Sequence, residues 1–149
     1  MTDIATLLHS DRVRAQASIT SKKKALEVVS QLLAPESAEM SEHTIFEALI
    51  KRERLGSTGL GAGIALPHGR IAGLEAPLAA MLTLDQGIDF DAIDNAAVDI
   101  IFAVVVPENC TEQHLQILGK LAETFSQAEV CAAIRRATSA SELIALVTQ

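Results

Sequence analysis

Tryptophan and tyrosine are absent from this chain, and four phenylalanines leave aromatics at 3% of its 149 residues. A hydrophobic content of 49% must therefore build its core from alanine, leucine, isoleucine and valine. Positive charge is scarce as well. Twelve Lys and Arg stand against 19 Asp and Glu, a formal net charge of -7. That balance argues against a nucleic-acid binder, whose electrostatic footprint is basic, and favours small-molecule or protein partners. Two cysteines, Cys110 and Cys131, are too few for a disulfide framework, and no CxxC pair offers a zinc site. They read as reduced thiols, and no metal site is expected. The longest strongly apolar run, Ile100 to Val106, has seven residues, far short of the ~20 that span a bilayer. Met1-Thr2-Asp3-Ile4 opens without a basic segment followed by an apolar one, so no signal peptide is read. A cytoplasmic location is the expectation.

With no repeat or linker in view, the length fits one domain over residues 1–149. Ile4, Leu7 and Leu8 suggest a short opening helix, and Arg12 to Ala17 a short edge strand. Thr20 or Ser21 caps a helix with Ala25, Leu26, Val29, Leu32 and Leu33 at helical spacing, ended near Pro35. Ser41 caps a second helix carrying Ile45, Phe46, Leu49 and Ile50 and running to about Arg54. Strands are expected at Ala79 to Leu84 and Val98 to Val106. The second is apolar throughout, which requires cover on both faces of a sheet. Helices follow from about Thr111 to Phe125, over Ala128 to Ala137 and over Ser141 to Thr148. Long helices interleaved with short buried strands predict an α/β (α+β) sandwich. The Lys22-Lys23-Lys24 run reads as a solvated helix face.

What the chain does have is a loop-like run from Gly56 to Gly69, GSTGLGAGIALPHG, with Gly56, Gly59, Gly61 and Gly63 inside eight residues. Glycine admits positive φ and close backbone approach. Pro67 and Gly69 hold one imidazole, His68, between them. The run fails both nucleotide patterns. Ala62 stands where a P-loop needs Lys, and Ile64 where the dinucleotide fingerprint needs its last Gly. Backbone N–H groups in such a run still form an anion-binding concavity. A plain glycine-rich turn fits the composition equally, and it is the setting of His68 that favours a site.

His114 shares a helical stripe with Leu115, Leu118, Leu121, Ala122 and Phe125. Two roles fit it: a half-buried structural histidine, or a neutral donor to a phosphoryl oxygen. Arg52 continues the stripe of Ile45 and Leu49. It either reaches a cleft, where a guanidinium suits phosphate, or complements its helix C-terminus. Ser57 and Thr58 either donate to an anion or stabilise a turn. Two histidines, an arginine and backbone N–H groups suffice for reversible phosphoryl transfer through a phosphoramidate on His68. Such transfer rests on positioning and charge stabilisation. It calls for no cofactor.

These residues resemble the active-site signature of the mannitol/fructose-type enzyme IIA domains of the bacterial phosphoenolpyruvate-dependent phosphotransferase system. Ser21-Lys22-Lys23-Lys24-Ala25-Leu26-Glu27, Phe90-Asp91-Ala92-Ile93-Asp94-Asn95 and Val98-Asp99-Ile100-Ile101-Phe102-Ala103 look like its nitrogen-regulatory branch, enzyme IIA-Ntr. The resemblance implies a mixed, roughly five-stranded sheet flanked by helices. It implies His68 as the phosphorylated residue, with His114 and Arg52 as its active-site partners. Gly56, Ser57, Thr58, Gly59, Gly61, Gly63 and Pro67 match the signature around them. The implied donor is a small phosphocarrier protein, HPr or its nitrogen-branch paralogue NPr. The implied output is regulation by phosphorylation state, often of potassium transport or sensor proteins. No IIB or transmembrane IIC segment is read in the sequence, which favours a regulatory phosphocarrier over a sugar-specific IIA subunit. A protein-binding module that never uses the phosphoryl site is the third possibility.

Overall fold

The computed structural model describes residues 4–34, 41–110 and 112–148. Met1, Thr2 and Asp3, the helix stop at Pro35 and the helix start at Thr111 lie outside the described residues. The opening helix α1 covers Ile4–Leu7 and strand β1 covers Val13–Ala17. Ser21 and Ser41 cap α2 (Lys22–Leu33) and α3 (Glu42–Leu55), each side chain accepting from the amide three residues on. The chain then enters β2 (Gly59–Gly61), β3 (Ile64–Ala65) and β4 (His68–Ile71). The two long strands are β5 (Leu78–Ile88) and β6 (Val98–Pro107). Helices α4 (Glu112–Phe125), α5 (Ala128–Arg136) and α6 (Ala140–Val147) close the chain.

The strand order is β1-β5-β6-β3-β2, with β4 also pairing β6. β1 runs parallel to β5, and β3 and β4 run parallel to β6, while β5–β6 and β2–β3 are antiparallel. The mixed sheet expected from the sequence is there, with β4 as a sixth strand beside a five-stranded path.

β6 shows why the sheet has helices on both sides. Successive strand residues face opposite ways. Ile101, Ala103 and Val105 pack with Leu26, Val29, Ile45 and Leu49 of α2 and α3. Ile100, Phe102, Val104 and Val106 pack with Ile117, Leu121, Ile134 and Leu143 of α4 to α6. Val98 and every residue from Ile100 to Val106 are buried, as an uninterrupted apolar run requires. β5 is longer than expected. Its exposed Asp85, Gln86 and Gly87 still belong to the strand, which runs past the expected end at Leu84.

Two expectations need correction. Half of the glycine-rich run, seven of its 14 residues, is strand rather than loop. β2 and β3 form a hairpin with Gly61 opposite Ile64, and Ala62 and Gly63 turn it with φ of 57° and 85°. Positive φ at both central residues is the type I′ requirement, which matches the twist of a two-residue hairpin. The lysine run is not uniformly solvated either. Lys22 has only 21% of its side chain exposed and pairs with Glu53 at 2.9 Å and Asp91 at 3.5 Å.

Candidate active site

β3 and β4 lie along the same side of β6 in one unbroken register. Ile64 pairs with Ile100, Ala65 with Ile101 and His68 with Val104. Leu66 and Pro67 interrupt the ladder without shifting it. Pro67 has no N–H to offer a neighbouring strand, but its carbonyl still accepts from Val104 N at 2.9 Å. On the other side Leu66 N donates to Thr58 O at 3.0 Å. His68 emerges directly after this break, and its Nδ1 lies 2.8 Å from Leu66 O.

That contact fixes the tautomer. A carbonyl oxygen only accepts, so Nδ1 carries the proton and Nε2 of the neutral ring carries the lone pair. Arg52 agrees with this assignment, because its Nε donates to His68 Nε2 at 3.2 Å. Gly69 explains how Arg52 reaches it. A Cβ on Gly69 would sit 3.4 Å from the backbone and Cβ of Ala48, so α3 rests closely on β4 there. Arg52 follows Ala48 by four residues, on the same helix face one turn on, and that turn lies over His68. Its Nη1 also donates to Gly56 O at 2.8 Å, steadying the guanidinium at the end of α3.

His114, in the first turn of α4, completes the cluster. Its ring centroid is 5.1 Å from that of His68, at an interplanar angle of 69°. It is 6% exposed, and among the described residues its Nδ1 has no hydrogen-bond partner. Burial, then the neighbouring His68, Arg70 and Arg52, push its pKa down to about 4. Burial also lowers His68, against the opposing hydrogen bond to Leu66; Arg52 lowers it further and Glu53 raises it. Both rings are neutral at pH 7. The result is one imidazole whose unprotonated Nε2 accepts from a guanidinium, and a second neutral imidazole edge-on to the first.

His68, His114 and Arg52 are thus brought together from β4, α4 and α3. The other signature residues serve the scaffold. Ser57 Oγ donates to Phe90 O at 2.8 Å and accepts from Gly59 N at 3.0 Å. The Thr58 hydroxyl donates to Glu53, whose carboxylate also accepts from Thr58 N at 3.2 Å. Gly59 abuts Ala92, Gly61 abuts Asp94, and Gly63 abuts Arg135 and Asp99. Gly56 caps α3 in open space. Sequence reasoning missed Glu53, a carboxylate only 8% exposed. Its signal was its place at the i, i+4, i+8 spacing of Ile45 and Leu49, where an acid on a buried stripe needs partners. Thr58 and Lys22 supply them.

The family model for the phosphoenolpyruvate-dependent sugar phosphotransferase system, EIIA 2, matches residues 6–149. The chain belongs to this family. It is 46% identical over 127 residues to the nitrogen regulatory protein of Pseudomonas aeruginosa, covering 85% of this chain and 82% of the relative. It is 38% identical over 148 residues to that of Escherichia coli K12, covering 97% and 89%. The crystal structure of nitrogen regulatory protein IIA-Ntr from Neisseria meningitidis superposes with a TM-score of 0.92 at 40% identity, over 97% of this chain and 99% of that one. Within the EIIA 2 family the chain therefore sits with the nitrogen-regulatory relatives. No helix among the described residues is long and apolar enough to cross a membrane.

Proposed function

We propose that this EIIA 2 protein is a regulatory phosphocarrier that takes a phosphoryl group on Nε2 of His68. The observation that carries the reading is the pair of contacts on the His68 ring, Nδ1 to Leu66 O at 2.8 Å and Nε2 to Arg52 Nε at 3.2 Å. The first aims a lone pair outward. The second puts a cation where phosphoryl oxygens arrive. In the transfer, a P–N bond forms at Nε2 as the P–N bond to the donor's histidine breaks, and no electrons change hands. Arg52 moves from the lone pair to the phosphoryl oxygens, and neutral His114 donates its N–H to another of them. A protein donor of the HPr or NPr kind also finds apolar surface nearby. Leu115 follows His114 at 69% exposure, and Leu55 ends the helix of Arg52 at 82%. Similarity to nitrogen regulatory proteins supports signalling by phosphorylation state, in the cytoplasm, over service to a sugar-specific IIB.

The test is incubation with phosphoenolpyruvate, enzyme I and a carrier protein, followed by intact-mass measurement. One added phosphoryl group is expected on the wild type and none on His68→Ala. An unlabelled wild type, or a labelled variant, refutes the reading. Rapid onward transfer to a sugar-specific IIB would replace the regulatory role with the uptake role.

A further inference from the structure

Beside Arg52 the surface dips into an open cavity of about 850 Å³. Its walls carry Lys51, Arg52, Arg54 and Arg70, and a single carboxylate, Glu47. A third of the 12 basic residues of a chain with net charge -7 thus converge on one concavity. Helix-dipole complementarity accounts for cations in the last turn of α3. It does not account for Arg70, which arrives from β4. Among the described residues, Lys51, Arg54 and Arg70 have no carboxylate within ion-pair distance. They are exposed cations facing shared space, with Glu47 as the one carboxylate on its walls.

The volume lies within the range of small-molecule sites, about 300–1,000 Å³. It exceeds what one phosphoryl group on His68 would fill. Three of the four cations are arginines, whose planar forks fit phosphate oxygens in pairs. Leu55 supplies an apolar wall for a carbon skeleton. We propose that this cavity binds a small metabolite carrying two or more phosphate groups, with Arg54 and Arg70 as its principal anchors. Arg52 belongs to both sites, so the bound metabolite and a phosphoryl group on His68 compete for one guanidinium. Each then weakens the other by the same factor. That coupling rests on the phosphocarrier reading; the binding site does not.

The experiment is calorimetric titration of the full chain with fructose 1,6-bisphosphate and with pyrophosphate at physiological salt, using citrate as a carboxylate control. Saturable binding of at least one phosphorylated probe is expected. Arg54→Ala and Arg70→Ala should each weaken it about tenfold or more. Arg136→Ala, at the end of α5, should leave it unchanged. Circular dichroism verifies that each variant is folded. Absence of saturable binding overturns the proposal. So does citrate binding as tightly as the phosphates, or an equal loss in Arg136→Ala. Because the readout is binding, a failed phosphorylation assay leaves it standing, and the reverse also holds.

Discussion

The glycine-rich run divides at Leu66 into two regions with different physics. Upstream, the β2–β3 hairpin uses its glycines for space and turn geometry. Gly59 lies where a Cβ would come within 2.8 Å of Ala92 Cβ, and Gly63 supplies the φ of 85° at the turn. Downstream, Pro67-His68-Gly69 builds the candidate site. Proline breaks the ladder, histidine bonds back to Leu66 O, and glycine admits α3 so that Arg52 reaches the ring. A dense cluster of glycines thus marks close packing first. The residue proposed to take the phosphoryl group sits where the cluster ends.

Glu53 ties the two regions together, since its helix carries Arg52 and its carboxylate holds Thr58 at the foot of the hairpin. Breaking a buried ion pair costs ~3–5 kcal/mol. Lys22 retains Asp91 as a second partner and some solvent, so Glu53→Ala should cost about 3 kcal/mol in chemical denaturation. Phosphoryl transfer should slow with it. A stable variant would show that the hairpin and the site are independent. Glu53→Gln, which keeps an acceptor for Thr58, should lose about half as much.

The downstream region should show its own pH signature. His114 has a folded pKa of about 4 against an ordinary 6.5. Below pH 6.5 the unfolded chain takes a proton that the folded chain refuses. The His114 contribution to stability therefore falls as pH drops from 6.5 to about 4 and is constant on either side of that window. Each unit is worth ~1.4 kcal/mol, and residual solvent access brings the total to about 2 kcal/mol. Urea midpoints across that window should slope in the wild type, and the slope should shrink in His114→Gln. An unchanged slope would mean that His114 titrates normally. The same variant should slow transfer while leaving His68 available. Gly59→Ala should cost less, about 1.5 kcal/mol of overpacking against Ala92. It should spare transfer, because it acts only on the hairpin. A loss of transfer equal to that of Glu53→Ala would erase the division at Leu66.

Periodicity and capping made most of the fold legible. Ser21, Ser41 and the unbroken apolar stretch of β6 located three of the main elements within a residue or two. The short strands β2, β3 and β4 were not legible. Two to four residues give no period, and these strands exist through pairing with β6 and each other. In the site, His68, His114 and Arg52 stood out by residue type and helical phase. Lys22 did not, because its neighbours Lys23 and Lys24 are exposed and its own partners lie 31 and 69 residues away along the chain. Spacing within one element carries no information about such contacts.

The smallest expected effect concerns the hairpin turn. Ala62 holds φ of 57°, a conformation costing a non-glycine residue ~1 kcal/mol. Its peptide groups are gripped from two sides. Asp94 Oδ2 accepts from Ala62 N at 2.9 Å, and Arg135 Nη2 donates to Ala62 O at 2.6 Å while its Nε binds both oxygens of Asp99. Arg135→Ala releases one grip at a partly exposed site and should cost about 1 kcal/mol, with transfer unchanged. Glycine at position 62 would need no grip to hold that φ. In an Ala62→Gly background the Arg135→Ala cost should therefore fall by about half. If it stays the same, Arg135 stabilises only α5 and Asp99, and the strained turn depends on Asp94 alone.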